Sequence, residues 1–252
     1  MKKRVIIVFL VCIFISQIVS AGVFYTDVFF SDGFESYLLG QNTIQPNWVP
    51  QYGKRANVSF DDGDKALLID SYSEYGGDRD IHVLLNRSEL YPEKWKTTDF
   101  EFNYKVVDCN STWKSTQKVT PQGASAYLYY FDPNNFIDVE FKINANDTFC
   151  GSGLAQISAF KRVDGISTAI IPYTTFNFTM DKTYKVNLVL DKLNSTNYNL
   201  NVNLDERLVS SSAKIGSTDI KGGRLLLENA GTKTYFDDVF VKVVRITKSR
   251  FK

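Results

Sequence analysis

From Asn197 to Leu204 every second residue is apolar: Tyr198, Leu200, Val202 and Leu204 alternate with asparagines. A period of two sends one set of side chains into a core and the other into water, which predicts a strand on a half-covered sheet. Phe100, Phe102, Tyr104 and Val106 alternate with Glu101, Asn103 and Lys105 in the same way. So do Tyr184, Val186, Leu188 and Leu190, although Val189 on the other face is apolar too. The turns between such runs are of hairpin type. Asp164-Gly165 is a two-residue hairpin signal, and Asp132-Pro133-Asn134-Asn135 links the runs 124–131 and 136–143. The pattern predicts about thirteen strands at intervals of roughly ten residues, with no linker that would separate two domains. The expected fold is all-β, a single antiparallel β-sandwich of the jelly-roll kind.

The chain begins differently. Lys2, Lys3 and Arg4 precede an apolar run from Val5 to Ile15, which is followed by the small residues of Val19-Ser20-Ala21. That order predicts an N-terminal signal peptide over residues 1–21 and a sandwich domain over 22–252. The apolar run is short of the ~20 residues of a membrane span and no second one follows, so the mature chain is expected to be soluble and secreted or extracellular, at a cell surface. Cys12 leaves with the leader, and Cys109 and Cys150 are an even pair for a disulfide in an oxidising compartment. Asn57, Asn86, Asn110, Asn146, Asn177 and Asn194 each open an Asn-x-Ser/Thr triplet without proline and are the candidate glycosylation sites. The net charge of +1 becomes −2 without the three basic residues of the leader, which gives a nucleic-acid partner no electrostatic basis. A single histidine, His82, excludes multi-histidine metal sites.

Phe30-Ser31-Asp32-Gly33-Phe34-Glu35 with Trp48, then Asp62-Gly63-Asp64-Lys65-Ala66-Leu67-Leu68-Ile69, resembles the opening strands of concanavalin A-like lectin/glucanase sandwiches and carbohydrate-binding modules. Gly223-Arg224-Leu225-Leu226-Leu227 and Tyr235-Phe236-Asp237-Asp238-Val239-Phe240-Val241 resemble their closing pair. The resemblance implies a jelly roll and leaves activity open, because the fold hosts lectins, hydrolases, lyases and structural domains. It also implies a structural calcium between first and last strands, with Asp32, Glu35, Asp237 and Asp238 as the matching oxygen ligands.

Laminarinase-like members of that superfamily carry Glu-x-Asp-x-Glu on one strand, the first Glu as nucleophile. Here Asp138 and Glu140 match the second and third positions, and Phe136 stands at the first. A phenyl ring neither attacks nor ionises, which argues against retaining hydrolysis. If the Asp132–Asn135 turn pairs its flanks, Phe131 faces Phe136, Tyr129 faces Asp138 and Tyr127 faces Glu140. Tyr127, Tyr129, Asp138 and Glu140 would then share an outward face suited to sugars, whose CH faces stack on rings while their hydroxyls bond carboxylates. Trp48, Trp95 and Trp113 are further candidate stacking rings. The expected function is binding of carbohydrate or glycoconjugate, or adhesion. A hydrolase or lyase of the same fold and a purely structural surface glycoprotein are the alternatives.

Overall fold

The computed structural model describes residues 23–40, 47–52, 56–71, 80–86, 90–91, 94–109, 122–143 and 152–247. Among them there is no α-helix, only strands and a 3-10 turn at Ser217–Asp219. One sheet runs β13 (Arg207–Gly216), β12 (Asn197–Leu204), β11 (Tyr184–Lys192), β6 (Thr97–Cys109), β15 (Thr232–Thr247), β4 (Asp64–Asp70), β3 (Ala56–Asp61), with β1 (Val23–Asp32) also paired to β15. The other runs β10 (Ile166–Phe178), β9 (Gly153–Val163), β8 (Asn135–Lys142), β7 (Gln122–Asp132), β14 (Arg224–Ala230), β5 (Asp80–Leu85), β2 (Trp48–Tyr52). Every pairing described is antiparallel.

Alternation in the sequence became alternation in burial. Tyr198, Leu200, Val202 and Leu204 are buried while the asparagines between them are not. On β6 the buried rings reach across to the other sheet: Phe102 meets Phe141 edge-on at 6.4 Å, Tyr104 meets Phe141 at 5.5 Å, and Phe100 meets Tyr129 at 5.9 Å. These contacts join the two inner faces into one hydrophobic core. Trp48 lies wholly in that core, Trp95 is half-buried under Arg245, and Trp113 lies outside the described residues.

The hairpins show which turn predictions hold. Asp164 and Gly165 both have positive φ and close β9 on β10 with Val163 opposite Ile166, the twist a two-residue hairpin needs. The turn between β7 and β8 differs from the expected four-residue link. Asp132 pairs with Asn135, leaving only Pro133-Asn134 as the loop. Proline fixes φ near −65°, so this loop cannot take the primed form and would splay its strands. The strand β7 absorbs the mismatch in a bulge: Leu128 faces Ile137 and Asp132 faces Asn135, so Tyr129, Tyr130 and Phe131 together oppose Phe136. Gly223 makes the bulge possible from the neighbouring strand side. A Cβ there would stand 2.5 Å from the backbone of Tyr129 and Tyr130.

The bulge overturns one expected placement. Tyr129, with φ at +52°, points into the core, where it is 2% exposed and hydrogen-bonded to Thr98. It is a packing residue, and Tyr130 takes its expected place on the outward face.

Candidate functional site

The outward face of the β10–β2 sheet carries a polar row that the register builds one strand at a time. His82 on β5 stands opposite Glu228 on β14, Glu228 opposite Ser125 on β7, Ser125 opposite Glu140 on β8, and Glu140 opposite Ser158 on β9. The next row toward the β7–β8 turn places Tyr127 opposite Asp138. So Tyr127, Asp138 and Glu140 do share a face as expected, but Tyr127 faces Asp138 and not Glu140. Odd-numbered Ile137, Val139 and Phe141 point the other way and are buried in the core.

Contacts within the row are short. Glu140 Oε2 lies 2.7 Å from Lys142 Nζ and accepts a hydrogen bond from Ser158 Oγ at 3.2 Å. His82 Nε2 is 3.2 Å from Glu228 Oε2. Asp138 is 7% exposed and its Oδ1 has no hydrogen-bond partner. Burial pushes its carboxyl well above the usual range, and the charges of Glu140 and Glu228 push the same way. A hydrogen bond shared with Glu140 pushes it the same way. Rings border these acids. Tyr127 meets Phe136 edge-on at 4.8 Å and tilts against His82 at 5.8 Å, and Tyr130 stacks on Phe136 at 6.1 Å. Phe136 thus fills an aromatic cluster where the laminarinase pattern needs a nucleophile.

Glu228 and Tyr130 were not singled out by the sequence. Glu228 sits in the run Leu225–Ala230, buried at every position. A lone ionisable residue in such a run was its one available signal, since a charge is rarely buried without a partner.

The four acids expected to hold calcium lie near one another where β1 meets β15: Asp32 ends β1 opposite Val239, a Cβ on Gly33 would stand 3.6 Å from Asp238 Oδ1, and the Asp237 carboxyl feels the charges of Asp238 and Glu35. Asp32 ends β1 buried, and its carboxylate accepts from Phe34 N at 2.9 Å, Tyr37 Oη at 2.7 Å, Asn47 Nδ2 at 3.2 Å and Trp48 Nε1 at 3.0 Å. Three of those donors crowd Oδ2 and one reaches Oδ1, so Asp32 serves as a hydrogen-bond hub at the end of β1. Glu35 Oε1 accepts from Lys65 N at 2.9 Å. Asp237 and Asp238 line a pocket of about 240 Å³ on the sheet to which β1 also belongs, together with Asp61, Asp62 and Lys105. Lys105 Nζ lies 2.8 Å from Asp61 and 2.7 Å from Asp62, so that pocket holds a cation of the chain's own. The Asp237 carboxyl is pushed up to about 6 by burial and by the charges of Asp238, Glu35 and Asp64. Among the described residues no group of three or more His, Cys, Asp or Glu side chains is arranged to hold a metal ion.

Cys109 ends β6 buried, and Cys150 lies outside the described residues. Asn57 is on the edge strand β3, Asn86 just past β5, Asn177 on the edge strand β10 and Asn194 in the turn between β11 and β12. Asn110 and Asn146, like residues 1–22, lie outside the described residues. Among the described residues no helix is long and apolar enough to cross a membrane.

No protein-family description matches the chain, and no curated protein matches it. Solved structures do. The alginate lyase Aly36B superposes with a TM-score of 0.55 at 9% identity, over 86% of this chain and 98% of the lyase. A carbohydrate esterase of the Shiga toxin-encoding bacteriophage phi24B gives 0.54 at 13% identity, over 87% and 99%. The carbohydrate recognition domain of Emp46p, in its potassium-bound form, gives 0.51 at 11% identity, over 84% and 94%. At such identities the likeness establishes the fold alone, a jelly-roll β-sandwich.

Proposed function

We propose that this chain is a secreted, glycosylated sandwich that binds carbohydrate through the outward face of β14, β7 and β8. The observation that carries the reading is the pairing of a ring cluster, Tyr127, Tyr130 and Phe136, with the carboxyl of Asp138, whose Oδ1 has no hydrogen-bond partner. A sugar offers CH groups that stack on rings and hydroxyl donors for the acid. The four described sequons support it, because none lies on β14, β7 or β8 and glycans there would leave the face open. The lyase, esterase and recognition domain of the same fold are each named for a carbohydrate, which agrees with the reading without fixing a ligand.

Glycan-array screening of the secreted protein, followed by calorimetry on the best ligand, tests the proposal. Tyr127→Ala is expected to weaken binding about five- to 150-fold, the ~1–3 kcal/mol of an anchor ring. Its melting temperature should change little, since Tyr127 is only half-buried. Unchanged affinity in that variant would overturn the reading.

The hydrolase or lyase reading draws on the same cluster, where Asp138, Glu140 and Glu228 bring carboxyl groups together. It is the second choice because Phe136 occupies the nucleophile position; release of reducing ends or unsaturated products would promote it.

The leader and the cysteine pair support export and a Cys109–Cys150 bridge. Asp181 N donates to Val106 O at 2.9 Å, and Met180 N to Ser152 Oγ at 2.8 Å. The segment just after Cys150 is thereby tied to the end of β6 that carries Cys109. Non-reducing peptide mapping should recover one peptide pair joined through Cys109 and Cys150; two alkylatable thiols would refute the bridge.

A further inference from the structure

The outward face of the β10–β2 sheet carries a further row, nearer the β7–β8 turn than the acids. Arg162 on β9 stands opposite Phe136 on β8. Phe136 stacks on Tyr130 of β7 at 6.1 Å, and Tyr130 stands opposite Arg224 on β14. The order across the four strands is therefore Arg, Phe, Tyr, Arg: two rings in contact, with an arginine on each side. Both arginines are half-buried.

Among the described residues neither guanidinium has a carboxylate partner. Arg162 lies over the Phe136 ring at 5.9 Å and its Nε donates to Gly165 O at 3.2 Å, so its terminal nitrogens are positioned but unused. Arg224 makes no hydrogen bond, ion pair or ring contact with those residues. The acids of the adjoining turns are engaged with other groups. Asp164 has Lys221 Nζ at 2.6 Å, and Asp132 accepts from Asn134 N at 2.7 Å and Asn135 Nδ2 at 2.9 Å. Toward the middle of the face Glu140 holds Lys142 and Ser158, Glu228 has His82 beside it, and burial works against a charge on Asp138. A half-buried guanidinium without an anion is an incomplete pair, since charges are rarely buried alone.

We propose that the ligand of this face is an acidic glycan, its carboxylate or sulfate groups held by Arg162 and Arg224 on either side of the Tyr130–Phe136 pair. This rests on the carbohydrate-binding reading and adds the charge of the ligand to it. The two rows then divide the work: sugar hydroxyls donate to Asp138, and anionic groups accept from the arginines. A guanidinium presents a rigid fork of donors that matches paired oxygens, and such charge-assisted bonds are about twice as strong as neutral ones. A neutral glycan would leave both forks unmatched, and an amino sugar would bring a further cation beside them. The Cα atoms of the two arginines are three strand spacings, about 14 Å, apart. An oligomer with acidic groups on separate sugars can serve both, so affinity should rise with chain length.

Calorimetry of the full secreted chain against four tetrasaccharides tests the assignment: an oligouronate, a sulfated glucan, the unsulfated glucan and a glucosamine oligomer. At least one acidic oligomer is expected to bind about tenfold more tightly than the unsulfated glucan, and the preference should shrink as salt is raised. Preference for the uronate assigns the anion as carboxylate, and preference for the sulfated glucan assigns it as sulfate ester. Arg162→Gln and Arg224→Gln should each erase most of the preference with little change in melting temperature. Lys182→Gln removes the same charge from the turn between β10 and β11 and should leave the preference intact. The ranking of the four ligands on wild-type protein decides the assignment even where a variant folds poorly. Equal affinity for the glucan and both acidic oligomers, preference for the glucosamine oligomer, or an equal loss in the Lys182 variant overturns the acidic-ligand assignment and leaves carbohydrate binding standing. Failure to bind any of the four, combined with a blank glycan array, overturns both.

Discussion

Tyr129→Ala is expected to cost about 3–5 kcal/mol, the range for removing a buried aromatic ring, and so to consume much of a typical 5–15 kcal/mol of total stability. The ring is 2% exposed, stands edge-on to Phe100 at 5.9 Å and bonds Thr98 through its hydroxyl. Its loss leaves a cavity where the two sheets meet, beside a buried hydroxyl that loses its partner. Tyr129→Phe separates the two terms. It keeps the ring and removes only the hydrogen bond, so about 1 kcal/mol is expected, more if the Thr98 hydroxyl finds no other partner. Urea unfolding of the two variants measures both. A Tyr129→Ala variant as stable as the parent would mean that the ring is not core, and would restore it to the outward face.

The contrast with Tyr127, two residues away, shows where sequence reasoning held and where it failed. Period two correctly assigned Tyr127, Asp138 and Glu140 to one face and Ile137, Val139 and Phe141 to the other. It held because nothing interrupts β8. On β7 the parity reverses after Leu128, and the cause is spread over the chain. Pro133 forbids the primed turn, and Gly223, nearly a hundred residues later, leaves the space that the bulged backbone enters. With Tyr129, Tyr130 and Phe131 consecutive and all aromatic, the local pattern offers no way to choose which ring turns inward. Phe131, at 48% exposed, joins neither set fully.

Glu228 escaped notice for a related reason. Its strand lies in the middle of the sheet, between β5 and β7, so apolar residues occupy both faces and no alternation marks the acid as outward. The partner that explains it, His82, is about 150 positions earlier and meets it only through the β14–β5 register. A resemblance to lectin and glucanase strands identified the fold from short motifs, yet most of the chemistry of this face rests on residues those motifs do not include.

Asp32 carries the second large expectation. The motif placed it in a metal site; the structure makes it a hydrogen-bond hub that fastens the end of β1 to Tyr37, Asn47 and Trp48. Trp48 is fully buried, packed edge-on against Phe30 at 5.8 Å and stacked on Phe34 at 5.9 Å. Its indole N–H has the Asp32 carboxylate as acceptor. Asp32→Ala would leave that N–H, the Tyr37 hydroxyl and the Phe34 amide without the acceptor they share, in a region where Asp32 itself is only 7% exposed. Each stranded buried group costs about 1–3 kcal/mol, so a total loss of at least ~3 kcal/mol is expected. Asp32→Asn retains one acceptor oxygen but sets an amide N–H₂ against the donors, and should fall between alanine and the parent. The comparison is made in the presence and in the absence of a calcium chelator. A hub predicts the same loss for Asp32→Ala in both conditions. A ligand predicts that chelator lowers the parent to the level of the variant and that the substitution then adds nothing, and that outcome would place Asp32 in a metal site.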